Sequence, residues 1–305
     1  MKTAYVFPGQ GAQKVGMASD FYDSELCQTA NEICGFDLLS VMRDGPVESL
    51  TSTTYCQPAL FLHSALVLEG MKREGIDLSP EYFLGLSLGE YSALYASGVL
   101  SFEDTMKALA VRGKAMQDAC EQNKGGMVAV TGAEDQVVIE ACDEARGEQV
   151  LQAANFNAPG QIVMSGELEA LERASEILKG KGVRRVMALN VAGAFHSPLM
   201  KPAADTLKNC LETLSFQAGA EKVISNVTAR PHEQASLIEG LVEQITAPVA
   251  WTSSIQWLAT EQKVERFVEL GTGKVLSGLI KRISPDVKKV NAEDAAGIPA
   301  LSVAD

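Results

Sequence analysis

Gly85-Leu86-Ser87-Leu88-Gly89 sets one serine between two glycines where an apolar run meets a helix-forming one. Tyr82-Phe83-Leu84 before it reads as a buried strand, and Glu90 to Ala96 after it reads as a helix closed by Gly98. A strand-to-helix turn this tight forces the serine into a strained backbone conformation, and glycines two residues to either side let the chain fold back. The hydroxyl then stands exposed at a helix N-terminus, where unpaired N–H groups favour developing negative charge. The stretch reads as a nucleophile elbow, with Ser87 as the candidate nucleophile.

Working outward, the N-terminal half alternates strand and helix: Thr3–Phe7 as strand, helices around Leu26–Met42 and Ala59–Glu74, then the elbow. This is α/β architecture. A second rhythm follows, with Met127–Thr131 as strand, Glu134–Ala145 as helix, Val150–Ala154 and Gln161–Ser165 as strands, Leu168–Lys179 as helix and Arg184–Leu189 as strand. That order, βαββαβ, is the split βαβ of a ferredoxin-like subdomain, inserted into the larger α/β unit. The chain then returns to helix at Leu199–Leu214, a strand near Lys222–Ser225, helices around Leu237–Gln244 and Thr252–Thr260, a strand Val264–Glu269 and a helix Val275–Ile283. Asn291 to Asp305 reads as a loosely held tail.

With 305 residues, 46% of them hydrophobic, the chain can bury a large core. A formal net charge of −13 argues against nucleic acid or an anionic membrane as a partner. The six cysteines show no short paired spacing and there are three histidines, so no metal site or disulfide framework is expected, and the thiols read as reduced and cytoplasmic. The apolar start ends at Pro8-Gly9, too soon for a signal peptide, and Ala59 to Met71 is too short and too interrupted to span a bilayer. Two glycine-rich turns fail as nucleotide motifs: Gly271-Thr272-Gly273-Lys274 lacks the spacer of a phosphate loop, and Gly9-Gln10-Gly11 has Lys14 where a dinucleotide fingerprint needs glycine.

A serine nucleophile needs a general base, and histidine titrates in the right range. His63 lies inside an apolar helix and reads as a packed core residue; His232 follows Pro231 in a polar stretch and reads as a solvated loop residue. His196, in Gly193-Ala194-Phe195-His196-Ser197-Pro198, occupies a turn leading into a helix and is the preferred base. No carboxylate between Ser87 and His196 stands out as a third member, so a Ser–His dyad with a carbonyl acceptor is expected rather than a triad. Arg112 lies at the edge of the apolar face of the helix beginning near Glu103. Two readings are open for it: its methylenes cover the core, or its guanidinium clamps a substrate carboxylate.

Taken together, Phe7-Pro8-Gly9-Gln10-Gly11-Ala12-Gln13, Gly85-Leu86-Ser87-Leu88-Gly89-Glu90-Tyr91, Arg112-Gly113-Lys114-Ala115-Met116-Gln117, the His196 turn and Gln244-Ile245-Thr246-Ala247-Pro248-Val249 resemble the malonyl-CoA:acyl carrier protein transacylases and related acyltransferases of fatty-acid and polyketide synthesis. The resemblance spans nearly the whole chain. It implies a hydrolase-like large subdomain (residues 1–124 and 196–305) carrying a ferredoxin-like small subdomain (residues 125–195).

The resemblance also implies roles. Ser87 accepts the malonyl group from malonyl-CoA, a coenzyme A thioester, and His196 moves the proton. The N–H groups of Gln10 and Leu88 form an oxyanion hole, Arg112 pairs with the malonyl carboxylate, the Gln244 carbonyl orients His196, and Phe195 favours unbranched malonyl units. The acceptor is the phosphopantetheine thiol of acyl carrier protein, no cofactor is tightly bound, and the family suggests a cytoplasmic monomer. Leu86 departs from members with histidine before the serine. Lys179, Lys181, Arg184 and Arg185, or Lys281 and Arg282, are local basic clusters an acidic carrier could use. A trans-acting acyltransferase of a polyketide synthase is the main alternative, followed by a serine hydrolase and by a non-catalytic docking protein.

Overall fold

The run TAYVF forms β1 (Thr3–Phe7), buried along its whole length, in a computed structural model that describes residues 1–303. A strand buried on both faces belongs at the centre of a parallel sheet. β1 pairs in parallel with β2 (Tyr82–Gly85) on one side and with β7 (Arg266–Leu270) on the other, and β7 pairs in parallel with β8 (Lys288–Ala292). The order is β2-β1-β7-β8. Long helices Thr53–Arg73 and Phe102–Gln122 pack against each other beside this sheet. Because neighbouring parallel strands end together, the loop after Phe7 and the elbow after Gly85 emerge side by side at the carboxyl edge, the usual position of sites in such sheets.

A separate antiparallel sheet is formed by β3 (Gly125–Thr131), β4 (Leu151–Ala158), β5 (Gln161–Glu167) and β6 (Arg185–Ala188), in the order β4-β5-β3-β6. Helices Asp135–Arg146 and Leu168–Gly180 bury apolar residues against it, giving it a core of its own. Its β4 edge is capped by the segment around Val249: Val249 N–H donates to Ala154 O at 2.8 Å and Phe156 N–H donates to Val249 O at 2.9 Å. This pairing covers an otherwise open strand edge.

Four expectations change. The helix expected over Leu26–Met42 is two helices, Glu25–Cys34 and Leu38–Asp44, because Gly35 adopts φ +72° and ends the first. The strand expected near Lys222–Ser225 is reduced to two isolated bridges, Phe83 to Val223 and Ile224 to Pro231, as the chain turns back on itself. Strand β4 runs to Ala158, three pairs further than the Val150–Ala154 estimate, and carries Asn155 and Asn157 into the cleft. The supposed tail contributes β8 and the helix Gly297–Val303, with Ile298 and Leu301 buried against the main core; residues 304 and 305 lie outside the described residues.

The elbow shows the tightest backbone packing. A Cβ on Gly85 would overlap the main chain of Gly89, and one on Gly89 would overlap the carbonyl of Phe7. By contrast, Gly278 lies in the helix Val275–Ile283 with open space around it. Gly85→Ala is expected to destabilise the protein by about 3 kcal/mol or more, because the backbone atoms it meets cannot rotate away. Gly278→Ala should stabilise by up to about 1 kcal/mol. Thermal unfolding of the two variants checks this opposite sign.

Candidate active site

Ser87 adopts φ +56° and His196 φ +54°, so both members of the expected dyad occupy the left-handed region that non-glycine residues avoid. The structure brings them together. His196 Nε2 lies 2.8 Å from Ser87 Oγ, and its Nδ1 lies 2.8 Å from the Gln244 carbonyl oxygen. Since a carbonyl can only accept, Nδ1 carries the proton and Nε2 presents its lone pair to the serine hydroxyl. The turn is anchored from the small sheet, where Gln152 Nε2 donates to His196 O at 2.7 Å and Ser165 Oγ donates to Phe195 O at 2.6 Å.

Burial pushes the His196 imidazole down to about 4, with the Arg112 cation adding to the effect. It is therefore neutral through the physiological range and ready to accept a proton.

Arg112 is 1% exposed and enters from the helix Phe102–Gln122. The core-covering reading thus describes only its stem, because both terminal nitrogens of its head are engaged in the site, while the buried Nε has no hydrogen-bond partner among the described residues. Nη1 donates to Gln57 Oε1 at 2.7 Å; Nη2 donates to Gln244 Oε1 at 2.8 Å and to Ser87 Oγ at 3.0 Å. Its guanidinium carbon lies 5.7 Å from the centre of the Tyr91 ring. Among the described residues no carboxylate forms an ion pair with it. Two amide oxygens, a hydroxyl and a ring face solvate the buried cation without neutralising it, so the pocket favours an incoming anion.

Ser87, His196, Arg112 and Gln57 line a cavity of about 170 Å³ between the two sheets, together with Gln10, Leu88, Phe195 and Asn157. The N–H groups of Gln10 and Leu88 form no hydrogen bond with a protein acceptor among the described residues, and both residues face the space in front of Ser87. Leu86 packs on the cluster containing Leu84 and Trp251 and also borders the cavity.

His232 contradicts its reading as a solvated loop residue. It is 6% exposed, and its Nε2 lies 2.8 Å from Glu90 Oε1. Glu90, Asn226, Gln57, Asn155 and Asn157 are polar residues at the site that sequence reasoning did not place there. One signal was present for Glu90: a charged residue in the first turn of an apolar helix directly after the elbow. His63 is buried as expected, with Nε2 2.7 Å from Glu293 O.

The profile of the acyl transferase domain matches residues 4–301. The chain belongs to the acyl transferase domain family. The malonyl CoA-acyl carrier protein transacylase of Haemophilus influenzae is 39% identical over 306 residues, covering 98% of each chain. The crystal structure of malonyl-CoA:acyl carrier protein transacylase from Xanthomonas oryzae superposes with a TM-score of 0.93 at 41% identity, covering 98% of this chain and 97% of that one. A malonyl-transacylase solved in complex with its type II polyketide synthase acyl carrier protein superposes with a TM-score of 0.92 at 36% identity, covering 98% of each chain.

In this acyltransferase the depressed proton affinity of His196 has a direct consequence for pH dependence. The imidazole is competent as a base while neutral, above about 4, and is lost as a base when protonated below that value. The rate of Ser87 acylation measured against pH should hold through 6.5 and fall only as the pH approaches about 4. An acid limb at the ordinary imidazole value of 6.5 contradicts the burial argument.

Proposed function

We propose that this chain transfers the malonyl group from malonyl-CoA to the phosphopantetheine thiol of acyl carrier protein, supplying fatty-acid synthesis in the cytoplasm. The observation that carries this reading is the buried, un-neutralised Arg112 with one N–H on the nucleophile's oxygen. A cation in that position suits an acyl chain ending in a free carboxylate.

In the first half-reaction Ser87 Oγ attacks the thioester carbonyl while His196 Nε2 takes its proton. The oxyanion is met by the N–H groups of Gln10 and Leu88, and the intermediate collapses with transfer of the proton from His196 to the departing sulfur of coenzyme A. The carrier thiol then gives its proton to His196 and attacks the malonyl ester, and His196 returns that proton to the departing Ser87 Oγ, which restores the free serine and the neutral imidazole. Gln244 holds the imidazole through its carbonyl, and Phe195 crowds any α-substituent. No tightly bound cofactor enters this scheme, and one protomer contains every group it needs.

The large subdomain, residues 1–124 and 196–305, is read as hydrolase-like and the small one, residues 125–195, as ferredoxin-like; the sheet order β4-β5-β3-β6 supports the latter. Among the basic candidates for the carrier surface, Lys181, Arg184 and Arg185 are exposed beside the β6 edge, whereas Lys179 pairs with Glu176.

Arg112→Ala tests the assignment. With a holo carrier protein as acceptor, kcat/KM for malonyl-CoA should fall by about a hundredfold or more, the worth of a charge-assisted pairing lost in a dry site. Transfer from acetyl-CoA, which offers nothing to the guanidinium, should fall far less. Equal losses for the two acyl groups would remove the carboxylate-binding role.

A further inference from the structure

The scheme above leaves unused a second set of buried polar groups directly beneath Ser87. Glu90, in the first turn of the helix Gly89–Ala96, is completely buried. An acidic residue there suits the helix dipole, but an exposed position would give that benefit without desolvating a carboxylate. Three donors compensate the burial: His232 Nε2 at 2.8 Å on Oε1, and Asn226 N–H at 2.8 Å and Gln244 Nε2 at 3.0 Å on Oε2.

Two of these donors lead straight to the dyad. The Asn226 side chain accepts from Ser87 N–H at 2.7 Å and donates to Gly85 O at 2.8 Å. The Gln244 side chain donates to Ser87 O at 3.0 Å, and the main-chain carbonyl of Gln244 holds His196 Nδ1. Three peptide groups of the strained elbow, and the base, are thus held by two residues that converge on one carboxylate. Glu90 also settles which way the Gln244 amide points, because its oxygen faces Arg112 Nη2 and its nitrogen faces Glu90. A flipped amide would set oxygen against the Glu90 carboxylate and Ser87 O. His232 completes the arrangement. Its ring packs on Gly240, where a Cβ would come within 3.4 Å, in the helix Leu237–Glu243 that ends at Gln244.

We propose that Glu90, held by His232, is a positioning residue for acyl transfer, fixing through Asn226 and Gln244 both the left-handed conformation of Ser87 and the acceptor of His196. The inference rests on the proposed acyl-transfer function for its substrate, though not for its geometry. Chain order hides the arrangement: the carboxylate stands between serine and histidine as a triad acid would, yet it acts through amides rather than on the imidazole.

The test compares the full chain with Glu90→Gln, His232→Leu and His232→Gln. Glutamine at 90 keeps the shape and can still accept from Asn226 and Gln244, but it gives up the charge-assisted bonds; leucine at 232 leaves Glu90 one donor short, and glutamine at 232 restores a donor. Two rates are read on folded protein: phosphonylation of Ser87 by a fluorophosphonate, and malonyl transfer to holo carrier protein. Glu90→Gln and His232→Leu should each slow both rates about tenfold or more, with KM for malonyl-CoA within about twofold of wild type, and His232→Gln should recover most of the loss. A lowered melting temperature with both rates at the wild-type value would overturn the proposal and leave the network merely structural. If Glu90→Gln does not fold, the two His232 variants decide by the same criterion. If the wild type is phosphonylated but transfers no malonyl group, the proposed function fails, while the positioning role still stands or falls on phosphonylation.

Discussion

The left-handed conformation of Ser87 is the constraint on which the rest of the site depends. With φ at +56°, the serine projects from the turn into the cleft instead of continuing β2 or entering the helix that follows. Such a conformation persists only where its surroundings over-determine it. Here they do so twice: Gly85 and Gly89 pack main chain on main chain, and Asn226 and Gln244 hold the peptide groups on either side of the serine. His196 is constrained in the same way from the opposite sheet, through Gln152 and Ser165. The dyad therefore straddles the junction of the two sheets, with one member fixed by each.

Charge is the second organising element. Arg112 is buried among neutral oxygens, and Glu90 is buried among N–H donors on the far side of the Gln244 amide. Keeping the two charges one amide apart leaves the cation available to a ligand, where a direct ion pair would have silenced it. The same cation helps to depress the proton affinity of His196, so the proposed base is neutral when the proposed nucleophile must give up its proton. A neutral carbonyl behind the imidazole suits this arrangement, because it orients the ring without adding negative charge that would compete for Arg112.

How far the sequence revealed this depended on how local each feature is. The elbow was legible because five consecutive residues encode it, and His196 emerged because its turn chemistry differs from that of the other two histidines. The α/β alternation and the βαββαβ run were legible from periodicity. The Glu90–His232 pair was not, since its members lie 142 positions apart and a histidine after Pro231 looks like a loop residue until the fold covers it. The C-terminal segment misled for a related reason. Ile298 and Leu301 are too few to make a pattern, yet they bury themselves against the core, with Ile298 filling the space left open by Gly70. Gly35 split one expected helix because a single left-handed residue overrides an apolar rhythm that continues across it.

The central claim is that this constrained serine takes up an acyl group whose carboxylate answers Arg112. Intact mass measured after mixing the protein with malonyl-CoA, with no carrier present, tests it most directly. The account predicts one malonyl adduct, absent in Ser87→Ala and discharged when holo carrier protein is added. Accumulation of free malonate and coenzyme A with no adduct would contradict it and mark the protein as a hydrolase.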